Sequence, residues 1–429
     1  RGRGFAMKPV IYQLVIRYFG NAGGSNRIDG GLRENGCGKF EDINGRALAE
    51  LARFGVTHVW LTGVHRQATL TDYSSTGLPA DPPEVVNGRA GSFYSVRDYA
   101  EVCPDYAVNP ARRMEEFSAL VKRIHAPGLR VLIDLVPNHL SRNYSSDGSS
   151  FAFGRFDDQS KFFDAQNNFY YLVDPYDREM SSVSDALRPH LLQYLENHDE
   201  RRIASPVVSG TGAGESGFGS SAAGYQLAPL HLLYGSGPLL VFNGQEVGEP
   251  GAGATGFKGD NGRTTIFDYW RMPVFARWVN GHAYDGGQLD TRELSLRRFY
   301  ADLLSLCQHP SVAGSSYWGL RYCNQPGAAG GSSGWLHPYA RFAPGARRAL
   351  VVVTNFRPRA AESGQVHVPR ELTRICGIPD ATSVQVRLIL NERGKQSGES
   401  LRLPVEELAT RGFSASVSEQ ACNVYELVA

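Results

Sequence analysis

Two stretches of this 429-residue chain close an apolar run on an acid and a histidine: RVLIDLVPNHLS at 130–141 and HLLQYLENHDERR at 190–202. The first carries Asp134, Asn138 and His139, and the second carries His198 and Asp199. Carboxylates and imidazoles are the groups that move protons or stabilise developing charge. Short runs of Leu, Ile and Val that end on such groups have the form of buried parallel strands delivering chemistry at their C-terminal ends. Two further strand-end acids, Glu246 and Glu249, follow the run GPLLVFNGQE. Asp134 lies inside its strand, where an unpaired carboxylate would be costly, so it requires a partner. That partner is either a ligand hydroxyl or an arginine.

The elements that must position these groups alternate along the first three quarters of the chain. Strand-like runs are expected at 9–19, 56–64, 130–139, 190–199 and 237–246, and helix-like segments at 47–55, 110–128, 224–236 and 294–309. Gly55 and Gly128 close two of these helices, and Pro110 opens one. Strand–helix alternation implies parallel strands joined by crossover helices. The fold class is therefore α/β, with a (β/α) barrel as the leading architecture and a doubly wound open sheet as the alternative. Five strands are recognisable where a complete barrel needs eight, so the expectation is a truncated TIM-type barrel lacking several central strands. After residue 314 the pattern changes to β-branched alternation without helices between the runs at 349–356, 383–392 and 423–429. Residues 1–314 are thus read as the incomplete barrel and 315–429 as a C-terminal antiparallel β-sandwich domain.

Hydrophobic residues at 42% and charged residues at 20% describe a soluble globular protein. A formal net charge of +1 gives no reason to expect nucleic acid or an anionic membrane as partner. No apolar stretch approaches the ~20 residues that span a bilayer. The start, RGRGFAMKPV, lacks the apolar core of a signal peptide, so none is expected in this chain. Cys37, Cys103, Cys307, Cys323, Cys376 and Cys422 form no C-x-x-C pair, which argues against zinc and leaves disulfides, and with them the compartment, undecided.

The two motifs resemble the first and fourth signature regions of the alpha-amylase family of glycoside hydrolases (family 13). The resemblance extends to GKFEDINGRALAELARFGVTHVWLTGV, to GSFYSVRDYAEVCPDYAVNP and to SGPLLVFNGQEVGEP, in the family's order. It implies an alpha-glucan such as starch or a maltooligosaccharide as substrate, and glycosidic bond cleavage as the reaction. Asp199 then matches the aspartate that holds and distorts the reacting sugar. His198 and His139 match histidines that bond its hydroxyls, and Tyr94 matches the tyrosine beneath it. Asn138 matches a calcium ligand whose usual partners lie in an inserted domain. That insertion is reduced here to part of residues 141–189, which argues against calcium, and no other cofactor is implied.

The family's nucleophilic Asp and acid/base Glu signatures belong between the two motifs and are not found there. Asp157 and Asp158 in GRFDDQ have no apolar strand around them and are assigned to a loop. The arginine that accompanies the nucleophile is missing too, and Arg201 or Arg202 could serve Asp134 in its place. Retaining hydrolysis needs two carboxyl groups ~5–5.5 Å apart and inverting hydrolysis ~6.5–9.5 Å. Neighbouring strands lie ~4.8 Å apart, so Asp199 and Glu246, ending consecutive strands, fall within that range. Asp199, Glu246 and Asp134 are accordingly the candidate catalytic acids, with Tyr94, His139 and His198 binding substrate. Glu246 has a competing structural role, tying down the Gly-rich loop after it. A non-catalytic glucan-binding protein with a degenerate site is the rival reading, and the oligomeric state stays open.

Overall fold

In the computed structural model, the described residues are 8–136, 139–141, 190–205, 221–235, 237–251, 261–313, 316–324, 334–357, 359–398 and 400–429. Four parallel strands form the first sheet: β1 (Val10–Val15), β2 (His58–Thr62), β3 (Arg130–Ile133) and β4 (Leu239–Phe242), in the order β3-β2-β1-β4. Gln193 adds a parallel bridge to Leu239 on the far side of β4. Five strand positions are thus recorded, although the run at 190–199 supplies one bridged residue in place of a full strand. The barrel is not closed among the described residues. Any strands between β3 and Gln193 would fall mostly in 142–189, outside them. The 9–19 run is also shorter as a strand than its apolar character suggests, because Ile16–Phe19 turns into a short helix.

Helices α1 (Gly45–Phe54), α2 (Arg113–His125), α3 (Ala223–Tyr234), α4 (Pro273–Val279) and α5 (Thr291–Cys307) cover the sheet. Their ends are fixed by local chemistry. Asn44 accepts hydrogen bonds from the Arg46 and Ala47 amides at the start of α1, and Gly55 ends it at φ +103°. Asp290 forms a capping box with Glu293 on α5.

Register decides which side chains face which layer, because successive residues of a strand point to opposite faces. Tyr12 aligns with Val59 and Val241, and Gln13 aligns with Trp60 and Phe242. Tyr12 packs edge-on against Phe19 and reaches Glu246 in the helix layer. Gln13, Trp60 and Phe242 therefore line the opposite, inner face. Arg202 lies on that inner face with its guanidinium 3.9 Å from the centre of the Phe242 ring. There it pairs with buried Glu196 at 3.0 Å.

The C-terminal part is antiparallel. A sheet runs in the order Gly394–Lys395, Ser383–Asn391, Cys422–Val428, Arg348–Asn355, Leu336–Phe342, Ser316–Gly319, and Ser400–Pro404 also pairs with Ser383–Asn391. Glu362–Val366 and Phe413–Val417 form a second, two-stranded sheet. One apolar cluster, from Leu320 to Leu427, lies wholly within this region. Tyr339, Leu350, Val352 and Val424 instead join the cluster built on the parallel sheet, so the two parts share packed surface.

Buried Glu249 anchors the turn after β4 by accepting from the Val274 and Phe275 amides at 2.8 and 2.7 Å, at the start of α4. Burial raises its carboxyl to about pH 7, against the pull of those two amides and of Arg202. An acid whose folded pKa lies above its unfolded value binds more protons when folded. Its contribution to stability is therefore greatest below the ordinary carboxylate range, and it is lost as pH rises toward 7. Glu249→Gln is expected to flatten the fall in melting temperature between about pH 4.5 and 7. Circular dichroism melts at several pH values check this, and an unchanged slope would refute it.

Candidate active site

At the C-terminal ends of β1, β2 and β3 the inner face gathers the acids and histidines singled out from the sequence. Asp134 follows β3 directly and is buried. Its carboxylate accepts from the Trp60 indole, from the Gly63 amide at 3.1 Å and from the Tyr94 hydroxyl at 3.1 Å. Burial pushes the Asp134 carboxyl upward in pKa, and these donors and His198 oppose the shift. The sequence left a ligand hydroxyl or an arginine as the partner of Asp134; these three donors take that place, and Arg202 is committed to Glu196 and to the Asn243 carbonyl.

The Tyr94 hydroxyl also lies 2.8 Å from Nε2 of His198. Gln13 donates to Nδ1 of His198 at 2.8 Å and to the Thr62 hydroxyl at 3.1 Å. With Gln13 donating to Nδ1, the neutral imidazole carries its hydrogen on Nε2, facing Tyr94 and Asp199. Nε2 is 3.3 Å from Oδ2 of Asp199. The His198 bond, first among its causes, holds the Asp199 carboxyl below the usual carboxylate range, and Arg263 and His139 act in the same direction. The Asp199 side chain is 57% exposed, so this ionised carboxylate is open to solvent.

His139 meets the Tyr94 ring edge-on at 5.9 Å between centroids. Its backbone carbonyl accepts from Tyr99 at 2.7 Å. The backbone behind Tyr94 is built for close approach. Gly63 has φ +65°, and a Cβ there would come within 2.5 Å of the Phe93 side chain. The segment carrying Tyr94 is pinned by Arg17, which donates to the Ala90 and Gly91 carbonyls and stands 4.4 Å from the centre of the Phe93 ring.

Glu246 lies elsewhere. It is fully buried in the helix layer, accepting from Tyr12 at 2.8 Å and paired with Arg297 of α5 at 3.0 Å. Both of its oxygens are used, the second by the Gly244 amide at 3.1 Å. The expectation that it shares the cleft with Asp199 is corrected: it serves the competing role, as a tie between the turn after β4 and α5. Asn138 lies outside the described residues. Among the described residues, no group of three His, Cys, Asp or Glu side chains is arranged to hold a metal. No helix among them is long and apolar enough to cross a membrane.

The sequence reading overlooked Gln13, Trp60 and Thr62. A signal was available for Gln13, because a lone amide inside the run VIYQLV must find partners once that strand is buried. Trp60 carried a weaker one, as an indole N–H that needs an acceptor when enclosed.

Residues 33–165 match the family model described as the alpha amylase catalytic domain. Cyclomaltodextrin glucanotransferase of Bacillus sp. (strain 1011) is 27% identical over 210 residues, which is 45% of this chain and 27% of that protein. Trehalose-6-phosphate hydrolase of Bacillus subtilis (strain 168) is 30% identical over 139 residues, 32% of this chain and 18% of that protein. The chain thus spans about a quarter or less of the length of these curated relatives. The noncanonic maltogenic alpha-amylase AmyB from Thermotoga neapolitana superposes with a TM-score of 0.56 at 14% identity, over 98% of this chain and 99% of that one. That likeness shows a shared fold, a TIM-barrel type with a C-terminal domain.

Proposed function

We propose that this relative of the alpha-amylase family is a glycosidase acting on alpha-glucans such as starch or maltooligosaccharides. One observation carries the reading: Asp134, Tyr94, His198 and Asp199 form a continuous hydrogen-bonded cluster where parallel strands end. Glycosidic cleavage passes through an oxocarbenium-like state, and an ionised carboxylate beside the ring carbon stabilises it. Asp199 has the exposure and the lowered pKa for that task. Tyr94 offers the sugar an aromatic face, while His198 and His139 offer hydroxyl partners. Asp134 acts as a positioning group that holds Tyr94.

In the same reading residues 1–314 are the catalytic-type domain and 315–429 a separate all-β domain. The barrel has about five or six strands in place of eight, since each βα unit takes roughly 30 residues. A calcium ion is assigned no part.

A specific observation favours a second reading. Neither Asp134, saturated by three donors, nor Glu246, buried in the helix layer, stands free to protonate a leaving oxygen. A glucan-binding protein without catalysis would need no such acid. Reducing-sugar release from soluble starch, measured together with retention on the same glucan, separates the two. Release supports hydrolysis, and retention without release at high protein concentration supports binding alone.

A further inference from the structure

A cavity of about 490 Å³ opens beside the cluster, lined by Glu84, Asn87, Ser92, Ser95, Tyr94 and His139 together with Val85, Val86 and Leu140. Two of these residues, Tyr94 and His139, belong to the candidate active site, so a chain-like ligand seated there continues into this cavity. The wall that carries Glu84 is tied down on both sides by the fold. Asp81, just before it, is buried in an ion pair with Arg97 at 3.0 Å and accepts from the Thr69 amide. Pro82 and Pro83 then fix the backbone into a single turn, Pro83–Val85, that carries Glu84. Downstream, Ala90 and Gly91 donate to the Phe267 carbonyl, and a Cβ on Gly91 would strike the Ala68 carbonyl. Preorganised polar walls discriminate among ligands because they do not move to accommodate the wrong one.

The charge on this wall has one sign. Glu84 is exposed, and among the described residues no lysine or arginine lines the cavity. A carboxylate accepts hydrogen bonds from sugar hydroxyls but repels a phosphate. We infer that this cavity holds the sugar unit next to the one at Tyr94, and that Glu84 makes it selective for uncharged glucans over phosphorylated sugars. The inference rests on the alpha-glucan reading above and narrows its substrate class.

Calorimetric titration of the full chain with glucose, maltotriose and trehalose 6-phosphate tests it, using wild type, Glu84→Gln and Glu84→Lys. Glu84→Gln is expected to weaken maltotriose binding by about tenfold, the loss of one hydrogen bond to a charged group, and to leave glucose unaffected. Glu84→Lys is expected to raise affinity for the phosphorylated disaccharide by at least about tenfold. Wild type binding maltotriose with both variants unchanged overturns the selectivity role and leaves the glucan reading standing. Wild type preferring the phosphorylated sugar, or binding neither maltotriose nor glucose, overturns both. Unchanged melting temperatures confirm that the variants are folded, as expected for an exposed side chain.

Discussion

Asp199→Asn is expected to lower kcat on maltooligosaccharides by about 10²-fold or more, the scale of losing one preorganised electrostatic stabiliser. The substitution keeps shape and removes charge. Asp199 is only half buried and its side chain bonds to His198, so the fold should tolerate the change with little movement in melting temperature. Its lowered pKa keeps the carboxylate ionised well into the acid range, and no loss of activity from protonating this group is expected between pH 5 and 7. Steady-state kinetics of wild type and variant over that interval check both statements. Turnover within a factor of two of wild type would remove Asp199 from the chemistry. A rise in KM with unchanged kcat would mark it as a binding group that acts equally on ground and transition states.

The apolar runs that form β1, β2, β3 and β4 were legible because each is short, β-branched and followed by turn or helix signals. Asp134, His198 and Asp199 could be grouped from the sequence because parallel strands place their C-terminal residues at one end of the sheet. The partners of Asp134 could not be read in the same way. Two of its three donors are an indole and a backbone amide of the neighbouring strand and its turn, and neither type advertises itself as a charge partner. Gln13 was equally hidden, since one polar residue in a buried strand reveals its contact only when register is known. The misplacement of Glu246 has a related cause. Counting residues to the end of β4 gives its height along the sheet but not its face. Phe242 points inward, and Gly244, at φ +93°, turns the chain so that the carboxylate two residues later enters the helix layer.

That placement leads to the second large effect, on stability. Glu246→Gln removes the charge opposing Arg297, a residue 7% exposed whose guanidinium is enclosed by the Phe54 and Trp278 rings at 4.3 and 4.5 Å. Breaking a buried ion pair from one side costs about 3–5 kcal/mol, because the remaining charge stays desolvated. Glu50, 3.3 Å from the same guanidinium and 21% exposed, offsets part of this, so the lower end of the range is expected. Tyr12 also loses a charged acceptor. Thermal unfolding should therefore show a drop of several degrees for Glu246→Gln, while the double variant with Arg297→Met recovers a large share of it, since an apolar replacement leaves no unpaired cation. Activity measured below both transitions should stay within about threefold of wild type, because no interaction made only in the transition state has been removed. The opposite pattern, an unshifted transition with hydrolysis abolished, would return Glu246 to the cleft as the proton donor and require the turn after β4 to adopt another course.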